Sequence, residues 1–237
     1  MWLDNPKTRS LPYNPPRIHK YPLSAPDGKL QSIVDSLSTL PNGSFSPDPS
    51  GKPIHDLYDA QKLPVTTTSP DSSRSILEIL HTPGHTSDSI CLYYPPDCSL
   101  FTADTVLGHG SSVFEVLGIY MASLRKIIAF GENGEKYGPV YPGHGPVVSN
   151  GLGQVTTYLK HRVARETQIL EVIQKPPPSN RYWTTWSIVS SIYADYPRDL
   201  WEAAARSVDM HLHKLESDGL VEGQGGEGKH TEWNFIG

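Results

Sequence analysis

Three short stretches of the chain place a metal-ligand type of side chain in a tight turn directly after an apolar run. They are Thr82-Pro83-Gly84-His85-Thr86, Phe101-Thr102-Ala103-Asp104-Thr105 and Tyr141-Pro142-Gly143-His144-Gly145. Imidazole and carboxylate are natural donors for zinc or a similar divalent ion. Loops at strand ends can bring residues distant in sequence to one site. The glycine beside each histidine allows a tight turn and lets the backbone approach a bound ion or substrate. One Pro-Gly-His alone is ordinary loop sequence. Three such turns in this order point to a site built from His85, Asp104 and His144.

The elements that must position these turns are legible around them. Ile76, Leu77, Ile79 and Leu80, then residues 90–94, then Leu100-Phe101 form apolar runs bounded by Pro, Gly or Asp, and read as strands. Val140-Tyr141 is a further strand, entering Pro-Gly-His-Gly. Leu117, Tyr120, Met121, Leu124, Ile127 and Ile128 recur at helical spacing and predict a helix over about 117–130. A second helix covers 152–174, and the triplet Pro176-Pro177-Pro178 ends it and marks a linker at 175–180.

Of the 22 prolines, 15 fall within the first 96 residues, so no long helix or central strand can run through the front. Residues 1–74 are expected to be loop-dominated, with an extended island at 17–21 and a short helix at 30–40. The tail at 181–237 reads as a separate small unit. A helix at 186–193 precedes a longer one that Asp199 can cap, with Ala203, Val208, Leu212 and Leu215 on its buried side. Leu220-Val221 and residues 233–236 then flank a glycine-rich turn. Helix, helix, hairpin is the order of a winged helix-turn-helix.

Composition excludes several function classes. The chain has 237 residues, enough for a sizeable core, with 20 basic against 25 acidic residues and a formal net charge of −5. That balance disfavours a general nucleic-acid binder. Residues 181–237 hold five Lys/Arg against nine Asp/Glu, so the tail lacks the positive charge for phosphate contacts. No apolar run of about 18 residues exists to span a membrane, and the first ten residues lack the build of a signal peptide. Two cysteines suit a reducing compartment, and we expect a cytoplasmic protein with Cys91 and Cys98 as core thiols.

Taken together, TPGHTSDS, FTADTVLGHG, YPGHGPV, KHRVARETQIL and the terminal HLHKLESDGLVEG resemble the metallo-β-lactamase-fold hydrolases. Within them they look like the lactamase-β-like 2 group, whose relatives include acyl-carrier-protein thioesterases of polyketide pathways. The likeness covers about 75–237. It implies an α+β chain: an αβ/βα sandwich domain over 1–174 with a winged-helix-like domain over 181–237. It further implies that His85 binds a first metal, Asp104 bridges two, and His144 binds the second, with zinc as the metal. His109, five residues after Asp104, would stand near the substrate mouth. The substrate class implied is an acyl group, free or bound to a carrier protein.

One departure bears on all of this. The family's main ligand motif, His-x-His-x-Asp-His, is absent from the sequence. His19 stands alone, and His55-Asp56-Leu57-Tyr58-Asp59 has the wrong spacing. Each metal would keep one histidine and a shared carboxylate, two donors where a catalytic zinc takes three. We therefore expect a chain that starts past the motif, lacks the first strands, holds zinc weakly or not at all, and needs a covering partner or a second copy. Three outcomes stay open: a hydrolase in its complete form, a non-catalytic binding module, and a metal-dependent endonuclease for single-stranded RNA. His161 and Arg162 could line an active-site edge or lie on a charged helix face, and His109 also has a plain reading as a loop residue. His211 and His213 lie on different faces of one helix and cannot form a pair.

Overall fold

A computed structural model describes residues 14–23, 25, 27–65, 75–132, 137–178 and 181–237. Expectations for 1–13, 66–74 and the last two linker residues lie outside the described residues. The chain divides into two compact units, one ending at Gln61 and the other running from Lys62 to Gly237.

The first unit carries more regular structure than its prolines suggest. Strand β1 (Ile18–Lys20) pairs in parallel with β2 (Ile54–Asp56), with Ile18 opposite Ile54. Between them lies α1 (Gly28–Leu37). It starts earlier than expected because Asp27 caps it, its carboxylate accepting from the amides of Lys29 at 2.7 Å and Leu30 at 3.3 Å, and it ends earlier, at Leu37.

In the second unit β3 (Lys62–Pro64), β4 (Ile76–His81), β5 (Ile90–Tyr94), β6 (Ser99–Ala103) and β7 (Val140–Pro142) form one sheet in that order. β3–β4, β4–β5 and β5–β6 are antiparallel, and β6–β7 is parallel. It follows that β4, β6 and β7 all run the same way. Their C-terminal ends therefore lie on one edge of the sheet, which is where the three turns emerge.

Residues alternate across this sheet with the strand period of two. Leu80, Cys91, Tyr93, Leu100 and Val140 join a core cluster with Leu117, Tyr120, Met121, Leu124 and Ile127 of α2 (Leu117–Glu132). On β6, Leu100 is fully buried while its neighbour Phe101 is exposed and stacks on Tyr141 at 5.1 Å. Cys91 is buried as expected. Cys98 is exposed, because the tight turn joining β5 to β6 places it at φ 53° outside the alternating pattern.

Helix α3 (Gly151–Ile173) belongs to two cores at once. Val155 and Tyr158 pack in the first cluster, and Ile169 and Ile173 in a second with Trp183, Ile188, Val208, Leu212, Leu215 and Trp233. That second core supports α4 (Thr185–Ile192), α5 (Trp201–Ser217) and a small antiparallel sheet, β8 (Trp183–Thr184), β10 (Glu232–Phe235) and β9 (Val221–Gly225) in spatial order. This is the helix, helix, hairpin arrangement of a winged helix. The expected cap at Asp199 does not form: Asp199 sits inside a 3-10 turn, and the residue before α5, Leu200, makes no side-chain cap. Thr184 and Ser187 instead form a reciprocal capping box on α4. Among the described residues no helix is long and apolar enough to cross a membrane.

His211 on α5 is fully buried while His213 is exposed, as their spacing requires. Burial pushes the His211 pKa down to about 4, the charges of Arg162, Arg165 and Lys214 add to the fall, and the Ser207 carbonyl opposes it. Between about pH 6.5, the unfolded value, and about pH 4, the unfolded chain takes up a proton that the folded chain does not. Stability is therefore full above that window and is lost as pH falls through it, by up to about 3 kcal/mol. Urea denaturation at neutral and mildly acid pH should give a steeper acid loss for the native chain than for His211→Asn. Equal losses would contradict a buried neutral imidazole.

Candidate functional site

The sheet edge brings the three expected residues together. His85 follows β4, Asp104 follows β6 directly, and His144 follows β7. Nε2 of His85 stands 3.6 Å from Oδ2 of Asp104, and Nε2 of His144 stands 3.4 Å from Oδ1. One carboxylate thus faces two imidazoles, one through each oxygen. The three side chains are open to solvent by 30%, 37% and 72% for His85, Asp104 and His144, which makes this an accessible site rather than a buried ion cluster.

Backbone contacts fix these positions. Nδ1 of His85 lies 2.8 Å from the Val113 carbonyl. A carbonyl only accepts, so Nδ1 carries the proton and Nε2 turns its lone pair toward Asp104. Lone pair against carboxylate is repulsive unless a proton or a cation stands between them. Asp104 follows Ala103, which holds φ at 44°, a strained conformation for a residue with a Cβ. The Ala103 carbonyl accepts from the Gly143 amide at 2.8 Å, and the Asp104 carbonyl accepts from the Ser112 hydroxyl at 2.5 Å. The Gly108 amide donates to the His144 carbonyl at 2.9 Å. The loops are thereby tied to one another before anything binds.

Helix α2 braces them from below. Tyr120 donates to the Thr105 carbonyl at 2.8 Å, Ser123 to Pro83 at 2.7 Å and Lys126 to His81 at 2.9 Å. Two glycines make the close approach possible. Gly84 has φ +126°, and a Cβ there would fall 2.4 Å from Cα of Tyr120. A Cβ on Gly143 would fall 2.5 Å from Oδ1 of Asp104.

The arrangement has the shape of a metal edge but too few donors. Two ligands bonded at about 2.1 Å to a tetrahedral ion stand roughly 3.4 Å apart, close to both His–Asp separations. Each position nevertheless offers one imidazole nitrogen and one carboxylate oxygen. Among the described residues no group of three or more His, Cys, Asp or Glu side chains is placed to hold an ion. These residues alone do not make a catalytic zinc site.

His109 is exposed, and its Nδ1 lies against the position a Gly145 Cβ would take, so it stands beside the His144 turn. His55 is elsewhere occupied, with Nε2 2.9 Å from the Ser46 carbonyl. For Arg162 the sequence left two places open, an active-site edge and a charged helix face, and the structure sets it against the loop after Asp104. Its guanidinium is half-buried, donates to the Ser111 hydroxyl and to the Ser112 carbonyl at 3.4 Å, and lies 4.8 Å from the centre of the Phe114 ring. Helical periodicity puts it on a charged surface, and only the folded loop after Asp104 reveals what it grips.

Comparison with known proteins agrees with this architecture. A family model described as the metallo-beta-lactamase superfamily matches residues 33–152, about half the chain, and one described as a beta-lactamase associated winged helix domain matches 184–233. A beta-lactamase-like protein 2 homolog of Drosophila melanogaster is 39% identical over 145 residues, 61% of this chain and 47% of that protein. An atrochrysone carboxyl ACP thioesterase of Paecilomyces divaricatus is 36% identical over 181 residues, 74% of this chain and 53% of that protein. The chain spans about half the length of the curated relatives it matches. A metallo-beta-lactamase family protein from Thermus thermophilus shares the fold, with a TM-score of 0.59 at 16% identity over 93% of this chain and 72% of that one.

Because Gly143 leaves room for Oδ1 of Asp104, Gly143→Ala should displace the carboxylate from His144 and lower stability by about 1–3 kcal/mol. A crystal structure and thermal melt of the variant check this. An unmoved carboxylate with an unchanged melt would contradict the close approach.

Proposed function

The chain belongs to the metallo-beta-lactamase superfamily, and on that premise we propose that its site serves the hydrolysis of acyl thioesters, with a carrier-bound, polyketide-type acyl group as the substrate class. The observation that carries this reading is the single carboxylate of Asp104 facing the imidazoles of His85 and His144 at an open sheet edge. The fungal relative named as an ACP thioesterase supports the substrate class. So does the apolar surface next to His85. Val113, whose carbonyl fixes that ring, is 71% exposed, and Val116 and Ile119 also face solvent. Val116 and Ile119 also border a cavity of about 460 Å³, whose lining mixes Leu117 and Met210 with Glu115, His213, Lys214 and Asp218.

In this reading residues 1–174 form the hydrolase part, 175–180 the linker and 181–237 the winged helix. Asp104 is the catalytic carboxylate, His85 and His144 are its partners, and His109 lies at the substrate rim. Zinc is the metal we assign to the complete activity, and the donors described here fall short of holding it. We place the activity in the cytoplasm, where an exposed free thiol such as Cys98 stays reduced.

A second reading is favoured by that same donor count: a module that binds an acyl ligand without turning it over. An RNA endonuclease is disfavoured, because five basic against nine acidic residues give 181–237 a net negative charge.

Kinetics with an acyl N-acetylcysteamine thioester, in the presence of zinc, separate the two readings. The hydrolase reading predicts turnover that Asp104→Ala lowers by about a hundredfold or more. Turnover equal in both proteins would overturn it. Saturable thioester binding with no turnover would instead establish the binding module.

A further inference from the structure

Residues 107–116, between β6 and α2, form no helix or strand, so no ladder or helical bonding places them. The segment nevertheless carries contacts that hold the site. Its Val113 carbonyl receives the Nδ1 proton of His85 at 2.8 Å, and its Ser112 hydroxyl donates to the Asp104 carbonyl at 2.5 Å. The Glu115 amide donates at 2.7 Å to the carbonyl of Gly84, one residue before His85. The turns of His85 and Asp104 thus meet on this segment. Val113 is exposed, so its own side chain does not anchor it.

Helix α3 holds the segment from the side. Gln154, Tyr158 and Arg162 recur every four residues and share one face of the helix. Gln154 donates to the Leu107 carbonyl at 3.3 Å and Tyr158 to that of Gly110 at 2.9 Å. Arg162 acts closest to Val113, donating to the Ser111 hydroxyl and to the Ser112 carbonyl at 3.4 Å. Its guanidinium also lies 4.8 Å from the centre of the Phe114 ring, which stacks on Tyr120 at 5.2 Å. Contacts on Ser112 and Phe114 bracket Val113 from both sides.

We propose that Arg162 is a positioning residue for the candidate site: by holding Ser112 and Phe114 it keeps the Val113 carbonyl where it takes the Nδ1 proton of His85. The Nε2 lone pair of His85 then stays turned to Asp104, whose backbone the same Ser112 anchors. The side chain suits the task. A guanidinium gains at once from the π face of Phe114 and from neutral oxygen acceptors, which an uncharged amide does not match. The described contacts of Arg162 are with Ser111, Ser112, Phe114 and Tyr120, so its effect on His85 passes through the segment. The consequence for catalysis rests on the hydrolase reading; the consequence for the His85 ring does not.

Ring nitrogen NMR of the full chain tests this. In Arg162→Gln the Nδ1 and Nε2 resonances of His85 should move toward each other as the second tautomer gains population. Arg162→Lys, which keeps the charge, should move them less. Arg165→Gln, one turn along α3 where the guanidinium lies over Tyr193, should leave them in place. Ser111→Ala removes a partner of Arg162 from the exposed side and should give a smaller shift in the same direction. If the chain turns over a thioester, Arg162→Gln should lower kcat by about tenfold or more at a nearly unchanged KM. An inert native chain would defeat the hydrolase reading, while the ring shifts still decide the role of Arg162. An unmoved His85 ring in a folded Arg162→Gln protein, or in Ser111→Ala should that protein not fold, would overturn the proposal. So would an equal shift in Arg165→Gln, or a raised KM at unchanged kcat.

Discussion

One carboxylate held between two imidazoles organises the sheet edge at which the three turns of this protein meet. Asp104 faces His85 at 3.6 Å and His144 at 3.4 Å, through different oxygens. Both separations exceed an ordinary hydrogen bond. With the proton of His85 fixed on Nδ1 by the Val113 carbonyl, the lone pair of Nε2 points at a negative group. A lone pair set against a carboxylate favours positive charge between them, as a proton or as a cation. Close backbone approaches in the surrounding loops set these positions. Ala103 stays at φ 44°, and Gly143 is bare where any side chain would strike Asp104.

The topology explains why three distant turns can do this. Two antiparallel steps return β6 to the direction of β4, and a parallel step keeps β7 in it, so three strands deliver their turns to one edge. Helix α2 then fixes the turns by side chains placed along one stripe, Tyr120, Ser123 and Lys126, each donating to a backbone carbonyl at the base of a turn. The same stripe supplies core contacts at Tyr120, so packing and site geometry are secured together. Arg162 extends the arrangement to α3, gripping the loop after Asp104 from the side on which the winged helix packs. That loop is therefore bound at once to the sheet, to α2 and to α3.

The three turns that meet at the sheet edge were legible in the sequence because strand-end turns carry strong local signals: an apolar run, then a small residue and a ligand-type side chain. The main helices were legible through their period. Other features were not. β3 and β8 are too short to display alternation, and a local pattern cannot report that α3 serves two cores. Asp199 has the chemistry of a cap, but the 3-10 turn places it one step too early. Arg162 has the pattern of a surface residue, since its partners Ser111, Ser112 and Phe114 lie about fifty residues away in the chain. Long-range polar contacts of this kind leave no periodicity to read.

The central claim is that Asp104 governs both imidazoles and that His85 turns its lone pair, not its proton, toward it. Ring nitrogen NMR of the histidines, in the native chain and in Asp104→Asn, measures this directly. The account predicts that His85 carries its proton on Nδ1, and that the Nε2 resonances of both His85 and His144 move when Asp104 loses its charge. A His85 protonated on Nε2 alone, or a His144 ring indifferent to the substitution, would contradict it.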